Sequence, residues 1–531
     1  MMSKKKLKLK KFYFHPITTF IILTIVTVIL SGILSNLGMY ATYSKLNMST
    51  GKLESTIVTI ENLCNYDGIK YIISNAVKNF MSFTTLSTLL ISLIGLSVAK
   101  STGFLDTFIK RKLVKIDNKK ITFILILLAT ISSLINEIGY VILIPLAAII
   151  YMANNRNPLA GITAAFTGVA FGYGATIFVG SMEVNLNSIT QLSARLIDTG
   201  FHVSLTSNLF IIIISTIILS IVGTIIIEKM ILPKLGRYKS LNDINKTLEL
   251  DVIDDDLEEQ VRLEKEINEK KGLKYAFIAT IVMLIVLVYS LIPNLPFSGI
   301  LLDMNERTYL GQLFGENAYF QDGFNYLVSL YFIITGICYG IGSKSIKNDK
   351  DIIYGANEYL KESVNLIGLL FFASQFIAVF KKTNIGTILT AWGAELINNV
   401  EFTGLPLILI IILVIALSNI FITTPLAKWT ILAPVVVPKL MQSNIAPQFA
   451  QFILRAGDSM TKGITPVLAY FVIFVGYLNI YNADKKRPIT IGNSLKLIMP
   501  YCLFISITWI LIIILWYIIG LPLGPNVFPT L

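Results

Sequence analysis

Residues 410–465 read IIILVIALSNIFITTPLAKWTILAPVVVPKLMQSNIAPQFAQFILRAGDSMTKGIT and align without a gap on residues 121–176, ITFILILLATISSLINEIGYVILIPLAAIIYMANNRNPLAGITAAFTGVAFGYGAT. About 13 of the 56 aligned positions are identical, and several identities are not aliphatic. These are Pro145 with Pro434, Met152 with Met441, Asn155 with Asn444, Pro158 with Pro447, Gly168 with Gly457, Gly174 with Gly463 and Thr176 with Thr465. Any two apolar segments share Leu and Ile, whereas Pro and Gly in register indicate an internal repeat.

Each copy of the repeat begins with an apolar segment that is interrupted in its middle. Residues 121–152 and 404–438 are both broken by polar residues, Gly or Pro, which predicts two half-helices around a tip. We therefore predict two re-entrant hairpins, one in repeat 1 (residues 121–182) and one in repeat 2 (residues 404–470). Five predicted spans separate the copies, and an odd number reverses the second copy in the membrane. Inverted repeats with broken helices are typical of secondary transporters, whose sites lie where the repeats meet.

The composition places the rest of the chain in a membrane as well. Of its 531 residues, 54% are hydrophobic and 14% are charged, whereas soluble domains carry about 25% charged residues. A span needs roughly 20 apolar residues. Nine stretches qualify, at residues 16–40, 80–100, 158–182, 207–231, 274–293, 325–344, 362–380, 447–475 and 494–519. The predicted fold is an all-α polytopic membrane protein, one domain over residues 1–531, with about nine transmembrane helices and two re-entrant hairpins.

The net charge of +12 comes from Lys and Arg residues whose positions along the chain indicate the membrane topology. Lys and Arg fall mainly in short loops, and the basic start from Lys4 to Lys11 places the N-terminus in the cytoplasm by the positive-inside rule. We therefore predict a multi-pass protein of the bacterial cytoplasmic membrane, surrounded by lipid and without a nucleic-acid partner. Residues 233–273 form the one long hydrophilic connector. Its mixed charges favour a solvated cytoplasmic linker, with a regulatory element as the alternative.

Cysteine and histidine usage argues against metal, redox and hydrolytic chemistry. Cys64, Cys338 and Cys502 have no CxxC spacing, and His15 and His202 are isolated. We predict no cofactor other than a coupling ion, H⁺ or Na⁺. An intramembrane hydrolase is a remote alternative, because the chain shows no nucleophile motif and no HExxH. We therefore predict that the protein is not an enzyme.

Five sequence blocks carry a resemblance to a known family. They are GYVILIPLA (139–147), PLAGITAAF (158–166), FFASQFIA (371–378), AKWTILAPVVVP (427–438) and RAGDSMTKGITP (455–466). Together they resemble the AbgT family, the p-aminobenzoyl-glutamate transporters, over nearly the whole chain. The resemblance implies nine transmembrane helices, two hairpins, and a homodimer with a water-filled basin open to the cytoplasm. It also implies import of p-aminobenzoyl-glutamate or export of p-aminobenzoate and sulfonamides, driven by an ion gradient.

The resemblance extends to residues of the family's site. It implies counterparts at six positions of this chain, namely Asn419, Trp429, Pro447, Arg455, Asp458 and Pro466. Three positions depart from the family pattern. Glu137 stands where the family usually has Asp, Leu426 replaces a Ser, and Thr176 replaces an Asn. These departures bear on the substrate and the coupling ion and leave the expected architecture unchanged.

Charged and polar residues within apolar sequence are candidates for the coupling ion. An intramembrane charge costs at least about 2.5–3.5 kcal/mol on insertion scales. Glu137 therefore indicates a proton or cation site, or else a residue at an aqueous mouth. Arg455 and Asp458, at i and i+3 of one helix, can form a structural pair, or can bind a substrate carboxylate and a cation respectively. Asn419 with Asp458 suits Na⁺, and Asn419 alone also suits a helix end.

The remaining candidates would contact the substrate. Trp429 suits stacking on an aminobenzoate ring, and the alternative is a buried Trp that fills space. Thr423 and Thr424 lie at the second tip and offer hydroxyl groups. Pro447 and Pro466 allow helix breaks that expose backbone groups to a ligand.

The predicted function is ion-coupled transport of a small aromatic carboxylate or amine, such as p-aminobenzoyl-glutamate, p-aminobenzoate or a sulfonamide. A carrier of another small carboxylate, either a dicarboxylate or an amino acid, is the alternative within transport. A passive channel is a further alternative, which flux against a gradient would exclude. Glu183 and Glu395 lie outside this predicted site, because the topology places both near the outer face in contact with solvent.

Overall fold

The computed structural model describes residues 14–46, 52–135, 137–236, 238, 255–315, 317–361 and 363–531, and it is mostly helical. The first part contains α1 (Pro16–Asn36), β1 (Tyr40–Leu46), β2 (Leu53–Thr59), α2 (Tyr66–Met81), α3 (Thr84–Ser101), α4 (Phe104–Phe108), α5 (Asn118–Ile131), α6 (Gly139–Ala153), α7 (Pro158–Phe171), α8 (Ser181–Ala194) and α9 (Leu209–Leu235). The second part contains α10 (Asp255–Ser290), α11 (Tyr309–Phe314), α12 (Tyr319–Ser343), α13 (Asp349–Lys361), α14 (Val364–Lys382), α15 (Ile385–Asn399), α16 (Gly404–Asn419), α17 (Pro425–Gln442), α18 (Pro447–Thr461), α19 (Phe471–Ile480) and α20 (Ile491–Ile519).

Eight helical segments in the described part of the chain are long and apolar enough to cross a membrane. They are Pro16–Asn36, Tyr66–Ser101, Asn118–Ile135, Leu209–Leu235, Leu263–Ser290, Tyr319–Ser343, Val364–Lys382 and Ile491–Ile519. Seven of these overlap predicted spans, and Asn118–Ile135 is the first arm of the first predicted hairpin.

The predicted spans at 158–182 and 447–475 are interrupted helices instead of continuous ones. Helix α7 ends at Phe171, before Gly172, and α18 ends at Thr461. A short 3₁₀ turn follows α18, and Pro466 then prevents the helix from continuing because the residue before a proline is driven out of the helical region. Both breaks place irregular backbone within the predicted membrane region, where it must be buried in protein or line a cavity.

Both predicted hairpins are broken helices in the structure. In the first, α5 is followed by a 3₁₀ turn at Ser132–Ile135, and α6 begins at Gly139. In the second, α16 ends at Asn419 and α17 begins at Pro425, whose missing N–H suits the first helical position. We call residues 132–138 tip 1 and residues 420–424 tip 2.

The two aligned segments also share the turn that follows each hairpin. Asn155 and Asn444 adopt left-handed φ values of 55° and 58°, which Asn tolerates better than other non-glycine residues. Pro158 and Pro447 then begin α7 and α18. Each segment therefore runs helix, tip, helix, turn and helix in the same order. Their opposite orientation in the membrane stays a prediction.

The mostly helical fold agrees with the predicted all-α class, and one two-stranded antiparallel sheet that was not predicted accompanies the helices. Strands β1 and β2 pair with Tyr40 opposite Thr59, and their Tyr, Thr, Ile and Val residues favour extended structure. The sheet lies on α15, where Trp392 Nε1 donates to the Tyr40 carbonyl at 3.2 Å and Asn384 Nδ2 donates to the Thr59 carbonyl at 3.2 Å. The described fold is therefore mostly helical with one small sheet.

The connector predicted at 233–273 lies partly outside the described residues, since 237 and 239–254 are not among them. Its second half, from Asp255, belongs to α10 and continues without a break into the predicted span at 274–293. Arg111, after α4, anchors this extension by pairing with Glu269 at 2.9 Å and with Glu266 at 3.4 Å.

Candidate functional site

The two tips share one cavity of about 670 Å³, a volume within the range of small-molecule sites. We call it the tip cavity. Tip 1 contributes Glu137, and tip 2 contributes Thr423 and Thr424. Tyr173 and Tyr470, from the chain after α7 and before α19, add aromatic rings to the wall. The remaining lining includes Ser82, Thr84, Thr85, Thr88, Gln321, Asp322, Asn325 and Lys381.

A buried lysine lies behind the tip cavity and joins both tips. Lys462 is fully buried at the end of α18. Its Nζ lies 3.1 Å from Glu137 Oε1 and donates to the Thr423 carbonyl at 3.1 Å. The same nitrogen lies 3.7 Å from Asp458 Oδ2 and 3.7 Å from the centre of the Tyr173 ring. One ammonium group thus contacts tip 1, tip 2, α18 and the break after α7.

A second buried lysine occupies the position predicted for Na⁺. Lys428 Nζ, from α17, donates to Asn419 Oδ1 at 2.8 Å and pairs with Asp458 Oδ1. Asn419 Nδ2 donates to the Asp458 carbonyl at 2.6 Å, so Asn419 and Asp458 are neighbours as predicted. Their side-chain oxygens, however, share an ammonium group of the protein itself. Among the described residues, no group of three or more His, Cys, Asp or Glu could hold a metal ion.

Two glycines allow the broken helices to approach this closely. A side chain at Gly463 would place its Cβ 2.7 Å from the Phe171 ring, and one at Gly174 would place it 2.6 Å from the Arg455 carbonyl. These glycines occupy equivalent positions in the aligned segments, as do their neighbours Tyr173 and Lys462. The repeat therefore brings its two breaks together, and Lys462 lies against the ring of its sequence counterpart.

Arg455 does not pair with Asp458, which corrects one alternative drawn from their i, i+3 spacing. Arg455 Nη1 pairs with Glu183 of α8, and both side chains are buried. Glu183 also accepts a hydrogen bond from Gly180 N at 2.9 Å at the start of α8. The reason is that Arg455 lies against α8, whereas Asp458 lies against Lys428 of α17. The predicted solvent exposure of Glu183 is therefore wrong, while Glu395 is exposed as predicted.

Trp429 and the two prolines lie outside the tip cavity. Trp429 is fully buried, and its Nε1 donates to Thr190 Oγ1 of α8 at 2.9 Å. Pro447 is buried at the first position of α18, and Pro466 is half-buried in the break before α19. The structure thus gathers Glu137, Thr423 and Thr424 at the cavity. Asn419 and Asp458 lie behind it, and Trp429 and Arg455 lie against α8.

The Arg455–Glu183 pair gives a first testable expectation. Breaking a buried ion pair by removing one partner costs roughly 3–5 kcal/mol, because the remaining charge is left uncompensated. We expect Glu183→Gln to lower the thermal midpoint of the purified protein in detergent strongly. The matched change Glu395→Gln, at an exposed carboxylate, should leave the midpoint near that of the wild type. Equal midpoints for the two variants would show that the buried pair contributes nothing to stability.

Sequence reasoning missed Lys428, Lys462, Glu183 and Tyr173. A signal for the two lysines was available, because a lysine inside apolar sequence is as costly as the glutamate that was selected. Lys428 and Lys462 stand within the blocks AKWTILAPVVVP and RAGDSMTKGITP. Tyr173 carried no such signal, since aromatic residues are common in apolar segments.

Comparisons with known proteins identify a family and several similar transport proteins. The model of the "AbgT putative transporter family" matches residues 10–531. The chain is 28% identical over 517 residues to the p-aminobenzoyl-glutamate transport protein of Escherichia coli (strain K12), covering 97% of this chain and 94% of that protein.

Two solved structures are similar over nearly their whole length. The YdaH transporter of Alcanivorax borkumensis is 27% identical, with 96% of this chain and 100% of that chain covered and a TM-score of 0.46. MtrF of Neisseria gonorrhoeae, described as illuminating a class of antimetabolite efflux pumps, is 30% identical, with 98% of each chain covered and a TM-score of 0.47. Because the family model spans almost all of the sequence, the chain belongs to the AbgT family of membrane transporters.

Proposed function

We propose that the protein is a secondary active transporter that moves small aromatic carboxylates or amines through the tip cavity. The observation that carries the proposal is the meeting of both broken hairpins around one cavity, with a buried charge cluster directly behind it. The E. coli relative is named for p-aminobenzoyl-glutamate transport, and the MtrF description refers to antimetabolite efflux. p-Aminobenzoyl-glutamate, p-aminobenzoate and sulfonamides are accordingly the proposed substrates.

The tip cavity offers groups suited to such a substrate. Thr423 and Thr424 present hydroxyl and backbone groups, Tyr173 and Tyr470 present aromatic rings, and Lys381 supplies a positive charge for a carboxylate. We propose that the substrate ring lies between the tips, near the two tyrosines. The substrate would then lie next to Glu137, which among the described residues is the one carboxylate that contacts both the cavity and the buried cluster.

The predicted substrate contacts of Trp429 and Arg455 stay a prediction. Trp429 is fully buried against α8, and Arg455 is paired with Glu183. Arg455 could contact a substrate only after it separates from Glu183. A movement of one repeat against the other would have to cause this separation. Pro447 and Pro466 support the broken helices in this account and need not touch the substrate.

Coupling is proposed to act through Glu137 and Asp458, with Asn419 positioning Lys428 beside Asp458. The cluster joins tip 1, tip 2, α17 and α18 through ion pairs. A gradient of H⁺ or Na⁺ would drive transport if binding of the ion weakened these pairs and released the tips. We further propose a homodimer in the bacterial cytoplasmic membrane with a cytoplasmic N-terminus and no cofactor.

Counterflow in proteoliposomes tests the proposed function. Vesicles loaded with p-aminobenzoate should accumulate labelled p-aminobenzoate, and p-aminobenzoyl-glutamate and sulfonamides should compete. Simple dicarboxylates and amino acids form the second arm, because their transport in place of the aromatic compounds would favour the alternative substrate class. Each compound is assayed with and without a pH gradient and a Na⁺ gradient. Passive equilibration without any response to either gradient would contradict secondary active transport.

A further inference from the structure

The Lys462 ammonium group has the surroundings of a bound monovalent cation. Three oxygen atoms approach it, from Glu137 at 3.1 Å, from the Thr423 carbonyl at 3.1 Å and from Asp458 at 3.7 Å. Carboxylate and carbonyl oxygens are the ligands that hard cations prefer. A fully buried ammonium within such a set takes the place that a free cation would otherwise occupy.

The charges of the cluster balance without any added ion. Glu137 and Asp458 contribute two negative charges, and Lys428 and Lys462 contribute two positive charges. Both lysines and Asp458 are fully buried. An additional Na⁺ would leave a net positive charge in a medium where an uncompensated charge is costly.

We propose that Lys462 is the resident cation of a latent Na⁺ site formed by Glu137, Asp458 and the Thr423 carbonyl. In the wild-type chain the tethered ammonium excludes Na⁺ from this position and holds the two tips together, so of the two proposed coupling ions H⁺ is the one that acts at this cluster. Removal of the ammonium leaves two carboxylates facing a carbonyl, and the site then binds Na⁺. The inference deepens the proposed function, on which it rests for treating this cluster as the coupling site.

The site differs from the Na⁺ position predicted between Asn419 and Asp458. That position holds Lys428, which contacts the other oxygen of Asp458. Asp458 thus has one ammonium group on each carboxylate oxygen. The proposal concerns Lys462, since it alone of the two lysines also contacts both tips.

Na⁺-dependent thermal stability tests the proposal, because a ligand that binds only the folded protein raises its midpoint increasingly as the ligand concentration exceeds Kd. The full-length protein is purified in detergent without substrate, and its midpoint is measured in NaCl and in choline chloride of equal concentration. The wild type is expected to show no difference between the two salts. Lys462→Ala is expected to show an upward shift of a few degrees that grows with NaCl concentration and does not occur in choline chloride.

Two further variants make the assignment specific. Lys439→Ala removes a half-buried lysine that lies away from the cluster and whose Nζ donates to the Asn398 carbonyl, and it should show no Na⁺ shift. Lys462→Ala combined with Glu137→Gln removes the negative charge of one proposed Na⁺ ligand and should lose the shift seen with Lys462→Ala alone. Lys462→Ser serves as a second test variant, for which the same rise of the thermal midpoint with NaCl is expected. A Lys462 variant that folds only in NaCl also supports the proposal.

A thermal midpoint of the wild type that rises with NaCl would overturn the proposal. So would folded Lys462→Ala and Lys462→Ser proteins whose midpoints do not rise with NaCl. The measurement contains no substrate, so it is independent of the counterflow result. Failure of p-aminobenzoate counterflow together with the expected Na⁺ shift would refute the proposed substrate and leave the latent site in place. The reverse combination would refute the latent site alone.

Discussion

Replacing Asp458 with asparagine is expected to abolish gradient-driven uptake and to destabilise the protein. Asp458 pairs with Lys428 on one oxygen and lies 3.7 Å from Lys462 on the other. Without the negative charge of Asp458, Lys428 would lose its carboxylate partner, and Lys462 would keep Glu137. Removal of one partner from a buried charge pair costs roughly 3–5 kcal/mol, so the free energy of unfolding should fall by about this amount. Uptake in proteoliposomes and the thermal midpoint in detergent measure the two effects.

A charge-balanced double variant separates the contribution of charge from that of shape. Lys428→Met with Asp458→Asn removes one charge of each sign and leaves Lys462 with Glu137. We expect this double variant to recover much of the midpoint lost in Asp458→Asn, because the residues are in direct contact and their effects should not add. It should remain inactive in gradient-driven uptake. If the Asp458→Asn protein kept wild-type stability and uptake, the cluster would have no role in either stability or coupling.

Replacing Glu137 with glutamine is expected to separate coupling from translocation. The glutamine oxygen can still accept a hydrogen bond from Lys462, so the tips should remain joined and the protein folded. Its amide cannot take up a proton, and the ion that drives transport would lose its carboxylate. We expect concentrative uptake to fall by about tenfold or more, corresponding to about 1.4 kcal/mol or more in the driving equilibrium, while counterflow continues. Parallel assays on the same vesicles measure the ratio of concentrative uptake to counterflow.

Glu395→Gln is the matched control for this experiment, because Glu395 is an exposed carboxylate on α15. It should leave both uptake and counterflow close to the wild-type values. Concentrative uptake that survives Glu137→Gln unchanged would exclude Glu137 as the coupling residue. Equal loss of uptake and counterflow would instead assign Glu137 to the substrate path.

The positions of the two tips could be predicted from the sequence because helix-breaking residues recur at matched places. Pro425 and the polar residues around Asn419 mark tip 2, and Gly139 marks the end of tip 1. Glu137 was identifiable because a charge in apolar sequence needs compensation. These features depend on local chain chemistry, which a single sequence contains.

The partners of the charged residues could not be predicted in the same way. Whether Arg455 meets Asp458 or Glu183 depends on which helix packs against each side of α18, and the spacing of the two residues carries no information about that. Lys428 and Lys462 were overlooked because lysines were assigned to topology, although burial within protein alters their role. The sheet formed by β1 and β2 was not predicted, because short strands outside the spans give a weaker sequence signal than long apolar helices.

Substrate protection of a cysteine at tip 2 tests the central claim most directly. Thr424→Cys is placed in a chain whose buried Cys502 and half-buried Cys338 are replaced by alanine, while the exposed native Cys64 remains as an internal reference. We expect p-aminobenzoate to slow the modification of the cysteine introduced at position 424 by a small thiol reagent, with saturation at the concentrations that support counterflow, and to leave Cys64 unaffected. A protein that performs counterflow while both cysteines react at unchanged rates would contradict the claim that substrate binds between the tips.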